Sequence, residues 1–368
     1  MTRDPIILRL DASPRTGYER FARAMTIAAA VQRRRRPVYF LSQLEPNSLA
    51  MNIKRGGNNW IAAEHPAGTE GDSVQMMREI RRLGPAAVFV DDADVSHDYL
   101  DEIASSGVLL GAIDHSANIR FPTKLIINPL LAPNREGYEF GDDAQLLVGK
   151  RYAMVRPEIR RQRPMRSQEP PPLAAQNGTI ISSQFRVLLA LGEDDPNCMT
   201  MDLAKLLVNA PRVGKVDIVI RREHPQVEEI RAMVEEHKEL MSLALEPAEI
   251  SNRITRCHFA LTAGSGWSLE LACVGVPQLL ILQNEAHWPN AQRLEDEGAA
   301  SVLGWHENVS AQTIRQGVQS LITDPLERKS MARCGRKLID GRGPDRFVMA
   351  MEIMLNPMSA EERLRIAA

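Results

Sequence analysis

Short apolar runs rich in Val, Ile and Leu alternate along the whole chain with longer stretches of helical period. That alternation restricts the fold to parallel sheets assembled from β-α-β units. In the first half the runs are IILRL, PVYFL, AAVFV, VLLGAI and KLIIN; in the second half they are RVLLAL, KVDIVI, HFALT and PQLLIL. Helices cover both faces of such a sheet, which is why its strands read as unbroken apolar runs rather than alternating ones. A chain of 368 residues with 44% hydrophobic residues exceeds one domain of ordinary size and can fill two cores. Between the two sets of runs, residues 156–184 (RPEIRRQRPMRSQEPPPLAAQNGTIISSQ) are rich in Pro and Arg and lack periodicity. This stretch is expected to link the two halves.

Charge excludes some partners. The 45 Lys and Arg nearly balance the 47 Asp and Glu, so no global field draws the chain to nucleic acid or an anionic membrane. The basic run Arg33 to Arg36 falls where a helix should end and reads as a solvated, dipole-compatible terminus. Cys198, Cys257, Cys273 and Cys334 lack CxxC spacing, which suits free thiols in a reducing compartment. No signal peptide and no membrane span are evident, and a cytoplasmic location is expected.

Parallel sheets bind ligands at the carboxyl ends of their strands. The loop after HFALT, Ala263-Gly264-Ser265-Gly266, is made of small residues and leads into a helix expected to begin near Ser268. Small residues let backbone N–H groups approach a phosphate, and the helix N-terminus adds a favourable dipole. Glu270 would repel a phosphate but can accept hydrogen bonds from ribose hydroxyls. The same residues also read as a plain helix start capped by Ser268. In the first half, DASPRTGYERFAR (residues 11–23) joins the first strand to the first helix and carries Gly17, Glu19, Arg20 and Arg23. Asp91 and Asp92 end one strand; Asp114 and His115 follow the next. Asp residues at strand ends also commonly brace loops or cap helices.

The segment AGSGWSLELACVGVP followed by NAQRLEDEGAA resembles the donor site of GT-B-fold glycosyltransferases related to the lipid II N-acetylglucosaminyltransferase. Across nearly the whole chain, LRLDAS, VDDADVS, LGAIDHSANIRFPTKLIINP, GKRYAMVRPEI, LALGEDDPNCMT and LIDGRGPDR recur in the order found in a narrower family. That family is the nucleotide-sugar hydrolase of pseudaminic acid biosynthesis, the UDP-2,4-diacetamido-2,4,6-trideoxy-β-L-altropyranose hydrolases. The resemblance implies metal-independent attack of water on the anomeric carbon with departure of UDP. It also implies a His base within a first-loop G-x-G-H-x-x-R pattern. Here that pattern reads Gly17-Tyr18-Glu19-Arg20-Phe21-Ala22-Arg23, so Glu19 replaces the second Gly and Arg20 the His. Arginine stays protonated and cannot act as a general base.

In a hydrolase another group would then take the proton, with Glu19, Asp114 and His115 as the candidates; loss of the His equally favours a non-catalytic binder. Arg20 and Arg23 can hold an anionic part of the substrate. The family's G-G-[ST]-D phosphate turn reads Gly192-Glu193-Asp194-Asp195 here; its acids are expected to be solvated, with a cation site as the lesser alternative. His287, Trp288 and Asn290 line the sugar pocket or pack their loop. His97 is expected at an exposed helix start, and His224, His237, His258 and His306 at the surface or satisfied within the fold.

The expected architecture is therefore α/β, two Rossmann-like domains in a GT-B arrangement facing across a cleft. Residues 1–158 form the sugar and acceptor side, 159–183 the linker, 184–345 the nucleotide-sugar-binding domain, and 346–368 a helix returning to the first domain. Gly192, Ala263, Gly264, Ser265, Gly266, Ser268 and Glu270 would bind the nucleotide diphosphate. Gly17, Arg20, Arg23, Asp91 and Asn290 would bind sugar or anion. No cofactor or metal is called for, and the partner is a UDP-linked small molecule. Hydrolysis leads; transfer to an acceptor and a non-catalytic nucleotide-sugar binder are the alternatives.

Overall fold

The computed structural model describes residues 3–164, 184–192, 195–245 and 249–356. Most of the expected linker, residues 165–183, together with Glu193 and Asp194, lies outside the described residues. The described residues up to Met154 and from Arg342 onward form one compact unit, and those within Val155–Gly341 form a second.

The first unit is built on a seven-stranded parallel sheet of order β3-β2-β1-β4-β5-β7-β9. Its strands are β1 (Ile6–Arg9), β2 (Val38–Ser42), β3 (Asn59–Ala62), β4 (Ala87–Val90), β5 (Leu109–Ile113), β7 (Leu125–Ile127) and β9 (Gln145–Leu147). A separate parallel pair, β6 (Arg120–Phe121) with β8 (Glu139–Phe140), lies in the loops beyond β5 and β7. Successive side chains leave a strand on opposite faces. Ile6 and Leu8 accordingly join the core cluster that includes Ile27, Phe347 and Met351, whereas Ile7 joins Val88, Val90, Leu100 and Tyr99 on the other face. Phe89 of β4 packs edge-on against Phe347 at 4.9 Å, and the register places it opposite Gly111. A Cβ at Gly111 would lie 2.3 Å from the Phe89 ring, so glycine makes room for it.

The second unit carries a six-stranded parallel sheet of order β12-β11-β10-β13-β14-β15. Its strands are β10 (Phe185–Ala190), β11 (Val213–Val219), β12 (Met241–Ala244), β13 (Phe259–Thr262), β14 (Gln278–Leu282) and β15 (Ser301–Trp305). Both sheets start at a central strand, run outward on one side and then jump to the other. The jump falls between β1 and β4 in the first unit and between β10 and β13 in the second. The connections leave in opposite directions there, which opens a crevice at the carboxyl ends of the two strands.

The basic run is a solvated terminus only in part: it follows the helix end with Arg33, Arg34 and Arg35 exposed, but Arg36 is buried. The Glu19–Gln32 helix ends just before it, Arg33 pairs with Asp345, and buried Arg36 holds both oxygens of Glu352 at 2.7 and 3.1 Å. Arginines of the run thus anchor the final helix, Gly343–Leu355, within the first unit. A charge run shows nothing of the carboxylates that the fold brings to it.

Candidate functional site

The loop after β1 rests on a buried ionic network that sequence reasoning missed. Arg9, fully buried, donates to Asp72 at 2.7 Å, to Asp11, and to the carbonyls of Leu10, Leu41 and His65. Tyr99 donates its hydroxyl to Asp72 at 2.6 Å, while Asp11 accepts from the amides of Gln43 and Ala67. Burial and the neighbouring acids push the Tyr99 phenol well above its ordinary range. A buried guanidinium is tolerated because its donors are satisfied. An arginine within an apolar strand, two residues before an aspartate, was the signal available.

Past this anchor the chain turns at Gly17, whose φ of +78° favours glycine and whose N–H bonds the Ser13 carbonyl at 2.9 Å. The helix begins at Glu19, where a carboxylate suits the positive end of the dipole. Arg23, one turn on, grips Asp91 at the end of β4 with two hydrogen bonds of 2.7 and 2.8 Å. Arg20 meets the adjacent Asp92 at 2.8 Å. Both arginines expected to hold a substrate anion therefore have carboxylate partners within the chain. Burial raises the Asp92 carboxyl, partly offset by Arg20.

Asp114, ending the β5 connection, accepts from the amides of Ser116 and Ala117 at 3.0 and 2.6 Å and from the Ser116 hydroxyl at 2.6 Å. Its carboxylate braces the turn, which leaves it little capacity to take a proton from water. His115 is different. Burial and the Arg23 cation hold its imidazole below the ordinary histidine range, against opposing pulls from Asp114, Glu19 and Asp91. The crevice beside β1 and β4 thus gathers Glu19, Arg20, Arg23, Asp91, Asp114 and His115, with an imidazole that is neutral at physiological pH.

In the second unit the crevice lies beside β10 and β13. Ser265 is the true N-cap: it is extended at φ −76° and ψ −169°, and its hydroxyl accepts from the Trp267 amide. The helix therefore runs Gly266–Val274 and starts two residues before the expected Ser268. Gly264 turns at φ +76°, and a Cβ there would lie 2.9 Å from that of Ala291. Gly192, at φ +96°, abuts Ser265, since an added Cβ would sit 3.3 Å from the Ser265 hydroxyl. Ser268 is fully buried, and its hydroxyl has no hydrogen-bond partner among the described residues. Such a group in a native site calls for an explanation.

Glu270 is buried one turn into the same helix. Arg156 holds it with its guanidinium at 2.6, 2.8 and 3.1 Å and with its backbone N–H at 3.0 Å. Sequence reasoning did not single out Arg156; the Pro157 that follows it at a helix start was the available signal. Asn290 donates its amide to the Gly264 carbonyl at 2.7 Å, so it shapes the turn. Trp288 stacks on Trp305 at 6.1 Å, which packs its loop.

Asp195 is not a solvated acid. It is buried and accepts from the amides of Met199 and Thr200, from the Thr200 hydroxyl at 2.6 Å, and faces His224 Nε2 at 3.1 Å. The carboxylate thus satisfies the amides that open the Thr200–Val208 helix, whose N-cap position is Met199. Among the described residues no group of three or more His, Cys, Asp or Glu is arranged to hold a metal ion. His224 and His258 are buried and bonded, His258 by accepting the Arg186 amide at 2.7 Å. His97, at an exposed helix start, bonds the Arg120 carbonyl at 2.8 Å. Among the described residues no helix is long and apolar enough to cross a membrane.

No protein-family model matches the chain. A curated relative, the spore coat polysaccharide biosynthesis protein SpsG of Bacillus subtilis (strain 168), is 27% identical over 175 residues, 46% of this chain and 50% of that protein. The match spans half the length of that relative. Solved structures match over nearly the full chain. A putative UDP-N-acetylglucosamine 2-epimerase from Listeria monocytogenes aligns with TM-score 0.61 at 13% identity, covering 98% of this chain and 99% of its own. MurG of Acinetobacter baumannii gives 0.62 at 14%, covering 95% and 99%. The spinosyn rhamnosyltransferase SpnG complexed with spinosyn aglycone gives 0.62 at 15%, covering 95% and 100%. The chain has the GT-B fold of these proteins, with two Rossmann-like domains.

Proposed function

We propose that this chain is a nucleotide-sugar hydrolase of glycan biosynthesis that releases UDP from a UDP-linked deoxy-diacetamido sugar or a close analogue. The observation that carries the reading is the turn after β13. There a positive-φ Gly264, the Ser265 cap and a buried, unpartnered Ser268 hydroxyl surround the N-terminus of a helix that bears a buried Glu270. Backbone amides and the helix dipole suit a diphosphate, the spare Ser268 hydroxyl offers it a further donor, and Glu270 suits the ribose. Arg156 orients the Glu270 carboxylate. The name of the similar UDP-N-acetylglucosamine 2-epimerase supports a UDP-sugar substrate, and the names of the polysaccharide biosynthesis protein and the rhamnosyltransferase support a place in glycan chemistry.

In this reading water attacks the anomeric carbon, the bond to the diphosphate oxygen breaks, and UDP leaves with the electron pair. His115 accepts the proton of the attacking water, a role that a neutral imidazole can fill and Arg20 cannot. Glu19 lies close enough to stabilise the imidazolium so formed. Asp114 positions the His115 loop. A transferase of this fold often uses a basic residue to balance the leaving diphosphate; Arg20 would suit that role, and its pairing with Asp92 weakens this alternative.

Incubation with UDP-linked N-acetylated sugars in ¹⁸O-water, without acceptor, tests the proposal. Release of UDP with ¹⁸O at the sugar's anomeric carbon supports hydrolysis. UDP release only after an acceptor saccharide is added would replace it with transfer, and tight UDP binding without turnover of any donor would leave a non-catalytic binder.

A further inference from the structure

The β6–β8 pair of the first unit lines a cavity of about 610 Å³ that none of the residues discussed so far uses. Its volume lies within the range of small-molecule sites. Arg120 and Arg135 line it together with Glu136, Glu139 and Asp142. Arg120 and Glu139 are register partners across the two parallel strands. Yet among the described residues neither arginine forms an ion pair with any of these acids. The pocket is open and its five charged side chains are exposed, so water meets their donors and acceptors until a ligand replaces it.

Its frame is ordered by aromatic contacts. Arg135 is held over the Phe140 ring at 5.0 Å from the centroid, and buried Tyr138 packs against Phe121 at 5.9 Å. Tyr138 also donates its hydroxyl to the Asp114 carbonyl at 2.9 Å. The cavity wall is therefore bonded directly to the residue preceding His115.

The lining discriminates among ligand classes. A simple anion would meet three carboxylates, and a simple cation two guanidinium groups. An apolar molecule would strip water from five charges without replacing it. A hydroxyl both donates and accepts, so a polyol can satisfy guanidinium and carboxylate together, while the apolar C–H face of a sugar ring packs on an aromatic edge. We propose that this cavity binds a neutral saccharide, separately from the nucleotide turn of the second unit. The inference rests on the proposed function only in favouring a sugar among polyols.

Saturation-transfer difference NMR on the full chain, with N-acetylglucosamine and inorganic phosphate as separate probes, tests it. The expected result is transfer to the ring protons of the sugar that persists with saturating UDP and is lost in Phe140→Ala and in Arg135→Ala. Arg135 is exposed whereas Phe140 packs at the margin of a core cluster, so unchanged thermal unfolding of both variants is required to exclude misfolding as the cause of loss. No transfer to the sugar, transfer unaffected by both substitutions, displacement by UDP, or binding of phosphate in place of the sugar would each overturn the assignment. If the sugar binds in this way but UDP does not bind at all, the cavity assignment stands and the nucleotide-sugar reading falls.

Discussion

Arg156 encloses the carboxylate of Glu270, with guanidinium contacts of 2.6, 2.8 and 3.1 Å and a backbone contact of 3.0 Å. The acid expected to meet a ribose is thus already oriented by its own chain, in a buried setting where an ion pair is poorly screened. Removing one partner strands the other. Arg156→Ala is expected to lower the unfolding free energy by roughly 3 kcal/mol, because it leaves a buried carboxylate without a counter-charge. Adding Glu270→Gln to that variant should recover part of the loss, a coupling that a double-mutant cycle in urea measures. Strict additivity of the two changes would show that the pair is not energetically coupled.

The network under the first loop makes a similar prediction. Asp72 is fully buried between Arg9 and Tyr99. Asp72→Ala should cost roughly 3 kcal/mol, because it removes the acceptor of both the Arg9 Nε–H and the Tyr99 hydroxyl in a buried site and leaves Asp11 as the remaining counter-charge of Arg9. Tyr99→Phe, which deletes one hydrogen bond, should cost about 1–2 kcal/mol. Thermal unfolding of the two variants checks the order; equal effects would contradict the central place given to the Arg9–Asp72 pair.

Backbone geometry predicts the effect of one methyl group in the nucleotide turn. Gly264 has positive φ and no room for a Cβ beside Ala291. Gly264→Ala should lower stability by about 1–2 kcal/mol through left-handed strain. It should also weaken UDP binding more than stability loss alone explains, because the amides that follow would shift. Wild-type UDP affinity in this variant would argue against the turn as the binding element.

How much of this was legible in the chain follows from burial. The central strands announce themselves as uniform apolar runs because helices cover both faces. Within the two large sheets the strands that sequence reasoning missed, β3, β9, β12 and β15, are the outer ones, and each contains half-buried or exposed residues; the two-residue strands β6 and β8 were missed as well. Half-covered edges need no continuous apolar run, so NWIA, QLL, MSLA and SVLGW carry a weak signal. Site residues were legible as strand-end positions, since the crevice of a parallel sheet is fixed by topology. Their partners were not. That Arg23 would grip Asp91, Asp195 satisfy the amides that open a helix and Arg156 hold Glu270 depends on contacts to which periodicity is blind.

The depressed His115 imidazole sets a pH dependence. As the base it must be unprotonated, so UDP release should rise with pH through a midpoint below the ordinary 6.5 of histidine and be level by neutral pH. Stability has the same sign. Between the folded and unfolded pKa values the unfolded chain binds more protons at this position, so its contribution is present above 6.5 and is lost as pH falls toward the folded value. His115→Asn should abolish turnover and retain UDP binding. A rate limb centred above 6.5, or full activity in His115→Asn, would remove His115 from the mechanism.

Calorimetric titration of the full chain with UDP, with CDP and GDP as controls, tests the central claim most directly. The account predicts selective UDP binding that Ser268→Ala weakens and Glu270→Ala weakens by about tenfold or more, the equivalent of roughly 1.4 kcal/mol. Absence of UDP binding, or UDP affinity that neither substitution changes, would contradict it.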